Sequence, residues 1–365
     1  MTMKLEVNGV PYENFTAASC EVRLDTLSSS FSFEAVATAG AALPFKGGES
    51  CKVLVEDKTV LTGNIEVVDV SYDATNHNIF IQGRDKTGDL LDSTLDAISD
   101  IRAGISLKEL IEKVLEQIGL KIDVIDNVNP PKFTEVEDIA SPESGDNAFA
   151  FLEKYSRKRQ VLLTSDADGN IVIDKNSGQI AQGGIQNILG ASDNNVRSGN
   201  FIFDTTGRYR VYRFSSQLNP VSLFSAGVTD LASIVSQRGG VSDSEIRLGR
   251  QLILVSETPF SDEQCKKRSQ WQADIQRGRG LTYAVTLDGY RVDLKNPNSD
   301  IWRTNRLYQI TDDFLGKQQR MLSNSVTYSL SLDGGQQTSI GFVDENTYTL
   351  DLITPSTSDI ASNII

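Results

Sequence analysis

Through residues 1 to 83, apolar and polar side chains alternate in short runs, the period of two expected of strands with one buried face. The runs are Lys4 to Val7, Ser19 to Leu24, Ser30 to Ala37, Cys51 to Val55, Val60 to Tyr72 and Asn78 to Gln82. Turn-forming stretches separate them at Asn8-Gly9, Gly47-Gly48, Glu56-Asp57-Lys58 and Asp73 to Asn76, and Pro11 and Pro44 fall in connections. This spacing predicts a small antiparallel barrel or sandwich. Ile79 to Ser93 then carries a strand into a polar corner, where Gly83 is expected to allow a change of direction and Asp85 or Thr87 to cap the following turn.

Beyond the corner the period lengthens. Leu107, Leu110, Ile111, Val114, Leu115 and Ile118 recur at helical spacing, Ser106 and Glu109 form a capping box, and Gly119 stands where a left-handed C-terminal residue belongs. A second helix, roughly Asp146 to Arg159, carries Phe149, Leu152 and Tyr155 on one side. A hairpin follows, from Val161 to Thr164 and Ile171 to Asp174, which makes a compact α/β lobe. Gly, Gln, Asn and Ser dominate from Gln179 to Asn200, which reads as a loop. Tyr209 to Ser215 and Gln251 to Val255 read as strands. The segment Val221 to Gly249 between them reads as a long excursion with Arg238-Gly239-Gly240 at its tip. A third helix is expected to start at Ser261 with Gln264 three residues on, and to place Trp271 and Ile275 on one face.

Leu307 to Glu345 restates the coarse pattern of Lys52 to Asp85: a short strand, a turn, a long strand, a second turn and a third strand. Either the chain holds two similar barrels, or two unrelated meanders look alike.

Composition narrows the class. The 365 residues suffice for two or three domains, and a 39% hydrophobic fraction suits a folded globular chain. No run approaches the ~18 apolar residues of a membrane span. The start MTMKLEVNGV lacks a signal-peptide core, so folding in a cytoplasm is expected. Cys20, Cys51 and Cys265 stand at no metal-ligand spacing and are expected to be reduced and structural. The net charge of −14 opposes tight nucleic-acid binding. It suits either simple solubility or a surface that nucleic acid must pass without sticking.

Chemistry is sparse. The single histidine, His77, lies in an expected turn, so triads and dyads that need a histidine base lose it, and no zinc motif is present. Asp166, Asp168 and Asn170 imitate the start of a calcium loop, but Ile171 replaces the turn glycine and Ser177 the bidentate glutamate. Lys86-Thr87 lacks the glycines of a phosphate loop, and Gly278 and Gly280 lack the third glycine and preceding strand of a dinucleotide site. The 49 acidic residues offer pairs for glycoside cleavage, and the sequence singles out none. Lys266-Lys267-Arg268, Arg277 and Arg279 surround Trp271, which reads as a helix with a solvated basic side. No catalytic, cofactor-binding or metal residue is assigned.

Five stretches carry a family resemblance in their order and spacing: Val7 to Ala35, Gly83 to Ser93, Ser141 to Ile173, Cys265 to Arg291 and Trp302 to Gly335. Together they make the chain resemble the baseplate hub proteins of contractile-tailed, Mu-like phages, related in fold to the tube-like part of type VI secretion spikes. The resemblance implies a non-enzymatic, mainly β protein with α+β lobes: two similar antiparallel, tube-like β-barrels, an α/β lobe and a peripheral lobe. The expected division is a first barrel over 1–96, the α/β lobe over 97–178, and strands, loop and helix of a peripheral lobe over 179–300. A meander over 301–350 completes the second barrel, discontinuously with 97–178 or 200–260, and 351–365 forms a tail. It also implies a homotrimer in the virion tail, joining the sixfold tube or tube initiator to the threefold central spike, touching other baseplate proteins, and passing DNA without specific binding. No cofactor or membrane anchor is implied. The stretch Tyr348 to Ile365 is expected to dock on a partner or neighbouring subunit. The competing classes are a tail-associated peptidoglycan hydrolase and a carbohydrate-binding β-protein.

Overall fold

The computed structural model describes residues 3–36, 46–73, 77–99, 101–134, 139–216, 237–256 and 262–349. Ser261, residues 217–236 and the tail beyond 349 lie outside the described residues. The alternating runs form β1 (Met3–Val7), β2 (Val10–Tyr12), β3 (Ala17–Arg23), β4 (Ser30–Val36), β5 (Ser50–Val55), β6 (Lys58–Tyr72) and β7 (His77–Asp85). Asn8-Gly9 and Glu56-Asp57 turn two hairpins with positive φ at both central residues, the geometry whose twist matches the strands it joins. β2, three residues long, is not among the expected strands.

The corner at Gly83 is not a corner. β7 runs straight through it to Asp85, and a Cβ at Gly83 would stand 2.2 Å from the Asn64 carbonyl oxygen and 2.5 Å from the Phe31 ring. Glycine is required there by close approach, not by a bend. The short helix α1 (Gly88–Asp92) follows, and Thr87 makes no side-chain cap.

The α/β lobe holds α2 (Leu107–Ile118), β8 (Val124–Asp126), α3 (Ala148–Arg159), β9 (Leu162–Ser165) and β10 (Ile171–Asp174). Its capping box at Ser106 and Glu109 and its left-handed Gly119 are both present, and Asn147 caps α3. The hairpin gains a third strand, because β8 pairs in parallel with β10. Leu110, Ile111, Val114, Leu152, Tyr155, Ile171 and Ile173 share its core.

Two later readings are corrected. Residues 179–200 hold no simple loop: β11 (Ile180–Asn187) and β12 (Val196–Phe203) are strands, and both were masked in sequence by exposure, since Ile185 alone is buried across the two. Arg238-Gly239-Gly240 is no loop tip either. It lies within β14 (Gln237–Ser242), which pairs with β13 (Val211–Ser216), itself parallel to β15 (Gln251–Ser256). Helix α4 (Asp262–Gly280) lies so close that a Cβ at Gly239 would meet the Lys266 nitrogen at 2.2 Å. Of the stretch 179–300, expected as a peripheral lobe, β11, β12 and β16 (Leu281–Asp288) belong to the main sheet.

The last meander is β17 (Leu307–Asp312), β18 (Lys317–Ser331) and β19 (Gly335–Asp344). Among the described residues the main sheet has 13 strands, ordered β12-β16-β19-β18-β3-β4-β7-β6-β5-β1-β2, with β17 joining β18 to β11. The fold is mainly β with α+β lobes. One continuous core, from Met3 and Phe33 to Trp302 and Phe342, runs under both meanders.

Candidate functional site

None of the chemically suggestive residues converge on a reaction centre. His77 begins β7 and stacks on Tyr72 with ring centroids 6.2 Å apart. The three cysteines are free and buried, and burial pushes the Cys51 and Cys265 thiols up to about 12, so they are not thiolates at neutral pH. Asp166 accepts hydrogen bonds from the backbone nitrogens of Asp168 and Asn170, which makes the calcium-like stretch a hairpin turn. Among the described residues no group of three acidic, histidine or cysteine side chains is arranged to hold a metal. Gly278 and Gly280 pack against Thr347 and the Asp204 carbonyl at the end of α4. Arg268 lies 4.2 Å from the Trp271 ring and donates to the Arg157 carbonyl, so the basic cluster joins two lobes. Burial, with Arg157 nearby, lowers the Arg268 guanidinium to about 10.

Lys86-Thr87 belongs to a junction that sequence reasoning located without finding its centre. Asp85 is buried and accepts hydrogen bonds from Ser28 Oγ (2.9 Å), Ser29 N (2.9 Å), Thr87 N (3.1 Å), Thr87 Oγ1 (2.6 Å) and Ser165 Oγ. Lys86 Nζ reaches the Asp168 carbonyl at 2.8 Å. These bonds fasten the first meander to the α/β lobe, a structural role for a carboxylate. Beside it, a polar cleft of about 600 Å³ runs between the α/β lobe and the second meander, lined by Asp174, Lys175, Asn305 and Arg306 among others. Asn305 Nδ2 donates to Asp174 Oδ2 at 3.0 Å and ties its two walls.

The feature with most functional content is a duplication within the sheet. β5 and β17 are 6 residues, β6 and β18 are 15, and each trio is a meander. Both long strands carry a bulge at the same place in the ladder, at Glu66 between Ile65 and Val67 and at Asn324 between Ser323 and Ser325. Beyond the bulge Val68 pairs Ile81, and Val326 pairs Ile340. One strand further out, Phe33 pairs Ile81 and Val285 pairs Ile340; outermost, Ala18 pairs Phe33 and Gly199 pairs Val285. Thus β4 corresponds to β16 and β3 to β12, residue for residue. The halves differ at β1 and β11, where one pairs antiparallel and the other parallel.

The halves meet at a seam, β3 on the outer half of β18, from Arg23 opposite Ser325 to Ala17 opposite Ser331. At one end of the sheet the two halves diverge in chemistry. The β5–β6 turn is charged: Glu56 binds Arg291 and Asp57 binds Lys4. The corresponding β17–β18 turn presents Phe314, 91% exposed, beside Leu189, 93% exposed, whose nitrogen donates to Asp313.

Comparison with known proteins bears on this architecture. Residues 2–85 match the N-terminal domain of Mu phage baseplate assembly protein GpP-like chains, 87–175 the second domain of baseplate hub protein gp44-like chains, and 261–351 the fourth domain of GpP. The baseplate hub protein gp44 of Escherichia phage Mu is 21% identical over 346 residues, covering 93% of this chain and 86% of that protein. The chain belongs to the Mu-like baseplate hub family. The 43 kDa tail protein of prophage MuSo2 from Shewanella oneidensis has a similar structure, with a TM-score of 0.77, 27% identity, and 96% of this chain and 100% of that one covered. The fold extends to a type VI secretion component of E. coli, with a TM-score of 0.57, 12% identity, and 96% and 80% of the two chains covered. These relatives are structural baseplate and tail proteins, not enzymes, and a baseplate component belongs to the virion tail.

Proposed function

We propose that three copies of this hub protein form a ring in which each contributes two tube-like units. The ring joins the sixfold tail tube to the threefold central spike and forms part of the channel through which DNA leaves. The observation that carries this reading is the residue-for-residue correspondence of the two half-sheets. A ring of three such chains offers six nearly equivalent units to a tube and three copies of anything unique to one half. The Phe314 and Leu189 pair is such a feature: it occurs in the second half, while charge occupies its place in the first. Three apolar knobs suit a threefold spike. The net charge of −14 suits a channel that repels phosphate. Within the ring the first unit spans about 1–96 and the second combines 180–203, 281–288 and 301–350. The α/β lobe and the β13–β15 lobe face other baseplate proteins, and assembly takes place in the host cytoplasm.

Electron microscopy of the purified chain, alone and mixed with the tube and spike proteins of the same phage, tests this. Threefold rings with an open centre that co-elute with both partners are expected. A persistent monomer that binds neither would overturn it. Changing both Phe314 and Leu189 to Asp is expected to lower spike capture at least tenfold and to leave ring mass and tube binding intact.

A further inference from the structure

The internal seam has an unfilled counterpart. On β18, Val326, Tyr328 and Leu330 alternate beyond the bulge; β3 pairs alongside them, and Val326 and Tyr328 are buried in the main core. The corresponding residues of β6 are Val68, Val70 and Tyr72, the same apolar alternation, but among the described residues they have β7 on one side and no strand on the other. Val70 is 44% exposed and Tyr72 78%. At the far end of the sheet, β12 is the counterpart of β3 and, among the described residues, pairs only with β16. Its outer edge is bare, with Phe203 59% exposed. Two long unpaired edges carrying apolar side chains are an aggregation hazard unless each has a partner. Of the other edges among the described residues, β2 is blunted by its three-residue length and by Pro11, and β11, paired with β17 on one side, is interrupted by the irregularity between Ile180 and Gly184.

We infer that β12 of one copy pairs antiparallel with the outer half of β6 in the next copy, repeating between chains the β3–β18 seam found within one. The occupant is a second copy of this chain, because the template for the contact is already built in the molecule. The correspondence fixes the register. Since Val22 lies opposite Val326 and Cys20 opposite Tyr328, Phe203 is placed opposite Val68 and Phe201 opposite Val70. Asn200 then faces Ser71, and Gly199 faces Tyr72, whose ring stacks on His77. Such pairing buries Val70, Tyr72 and Phe203 together and supplies partners for the backbone groups of both edges. It names the contact through which the proposed ring closes, and so rests on that reading.

A cysteine pair reads the register directly. In the full chain carrying Ser71→Cys and Asn200→Cys, facing Cβ atoms about 5 Å apart are within disulfide reach. Both positions are exposed, and the native cysteines are buried. Mild oxidation should give a reductant-sensitive ladder of two and three linked chains, with most of the protein in the largest species. Ser71→Cys combined with Asp204→Cys, four residues out of register and so about 13 Å away along the strand, should not link. Native mass measured on the same samples separates the two claims. Trimers that do not cross-link in the stated register overturn the seam and leave the ring. Monomers that do not cross-link at any concentration overturn both. Val70→Asp supplies a second reading: a rise of at least tenfold in the concentration needed for assembly is expected, with an unchanged monomer melting temperature, and unaltered assembly counts against the seam.

Discussion

Single residues hold this sheet together by contact rather than by chemistry. Gly83 lies inside β7 with the Asn64 carbonyl and the Phe31 ring against its Cα, so Gly83→Ala must push strand or ring aside. Overpacking of this kind costs about 1–3 kcal/mol, and urea unfolding should show the midpoint fall by a corresponding amount. A midpoint equal to wild type would mean the two strands are further apart than described. Asp85 poses the opposite problem, a buried acceptor with donors converging from Ser28, Ser29, Thr87 and Ser165. Asp85→Ala strands those donors and is expected to cost about 3 kcal/mol, with limited proteolysis cutting first between the β-sheet and the α/β lobe. Neither residue's role was legible from sequence, because glycine at a bend and glycine at a close approach look alike, and a hub carboxylate looks like a cap. The difference lies in neighbours far along the chain, Phe31 for Gly83 and Ser28, Ser29 and Ser165 for Asp85.

At the scale of elements, legibility followed burial. α2 was readable in full because its signals are local: a 3.6-residue apolar stripe, a capping box at Ser106 and Glu109, and Gly119 at the end. Ser106→Ala removes one half of that box and is expected to cost about 1 kcal/mol, measurable as a lower melting temperature and faster amide exchange in the first turn of α2. Exchange unchanged in that turn would show that packing on α3 alone holds it. β11 and β12 escaped because their order comes from partners, β17 and β16, that lie roughly a hundred residues away, and because neither strand buries an alternating face within one chain. Composition rich in Gly, Asn and Gln then reads as loop. For β12 the absent apolar face has a second explanation, since an edge completed by another copy shows its pattern only in the assembly. The duplication was visible as a coarse pattern, whereas the bulge register that turns it into a correspondence required coordinates.

The two half-sheets are held together by the β3–β18 seam and a shared core, and ion pairs add to both. The β5–β6 turn of the first half grips the loop after β16: Arg291 Nη2 lies 2.6 Å from Glu56, and Lys58 Nζ lies 2.6 Å from Asp300. Burial by itself pushes the Asp300 carboxyl up, but hydrogen bonds from Lys58 and Arg303 outweigh it and hold the group at about 2. A carboxylate depressed in the folded state stabilises the fold above its ordinary value of 3.8, and that contribution disappears as pH falls from there toward 2. Asp300 is about half exposed, so solvent screening limits the effect to roughly 0.5 kcal/mol. Wild type and Asp300→Asn should therefore differ by about that much in urea unfolding at pH 5, and the difference should shrink as pH falls below 3.8 and vanish below about pH 2. A difference that stays constant across this range would mean that the amide substitution acts through packing, and that the ion pair contributes nothing to the angle between the halves. In the proposed ring six units meet the tube at one angle, so the same substitution is expected to broaden the ring's projected diameter in electron micrographs taken at pH 5, before any loss of overall stability is seen.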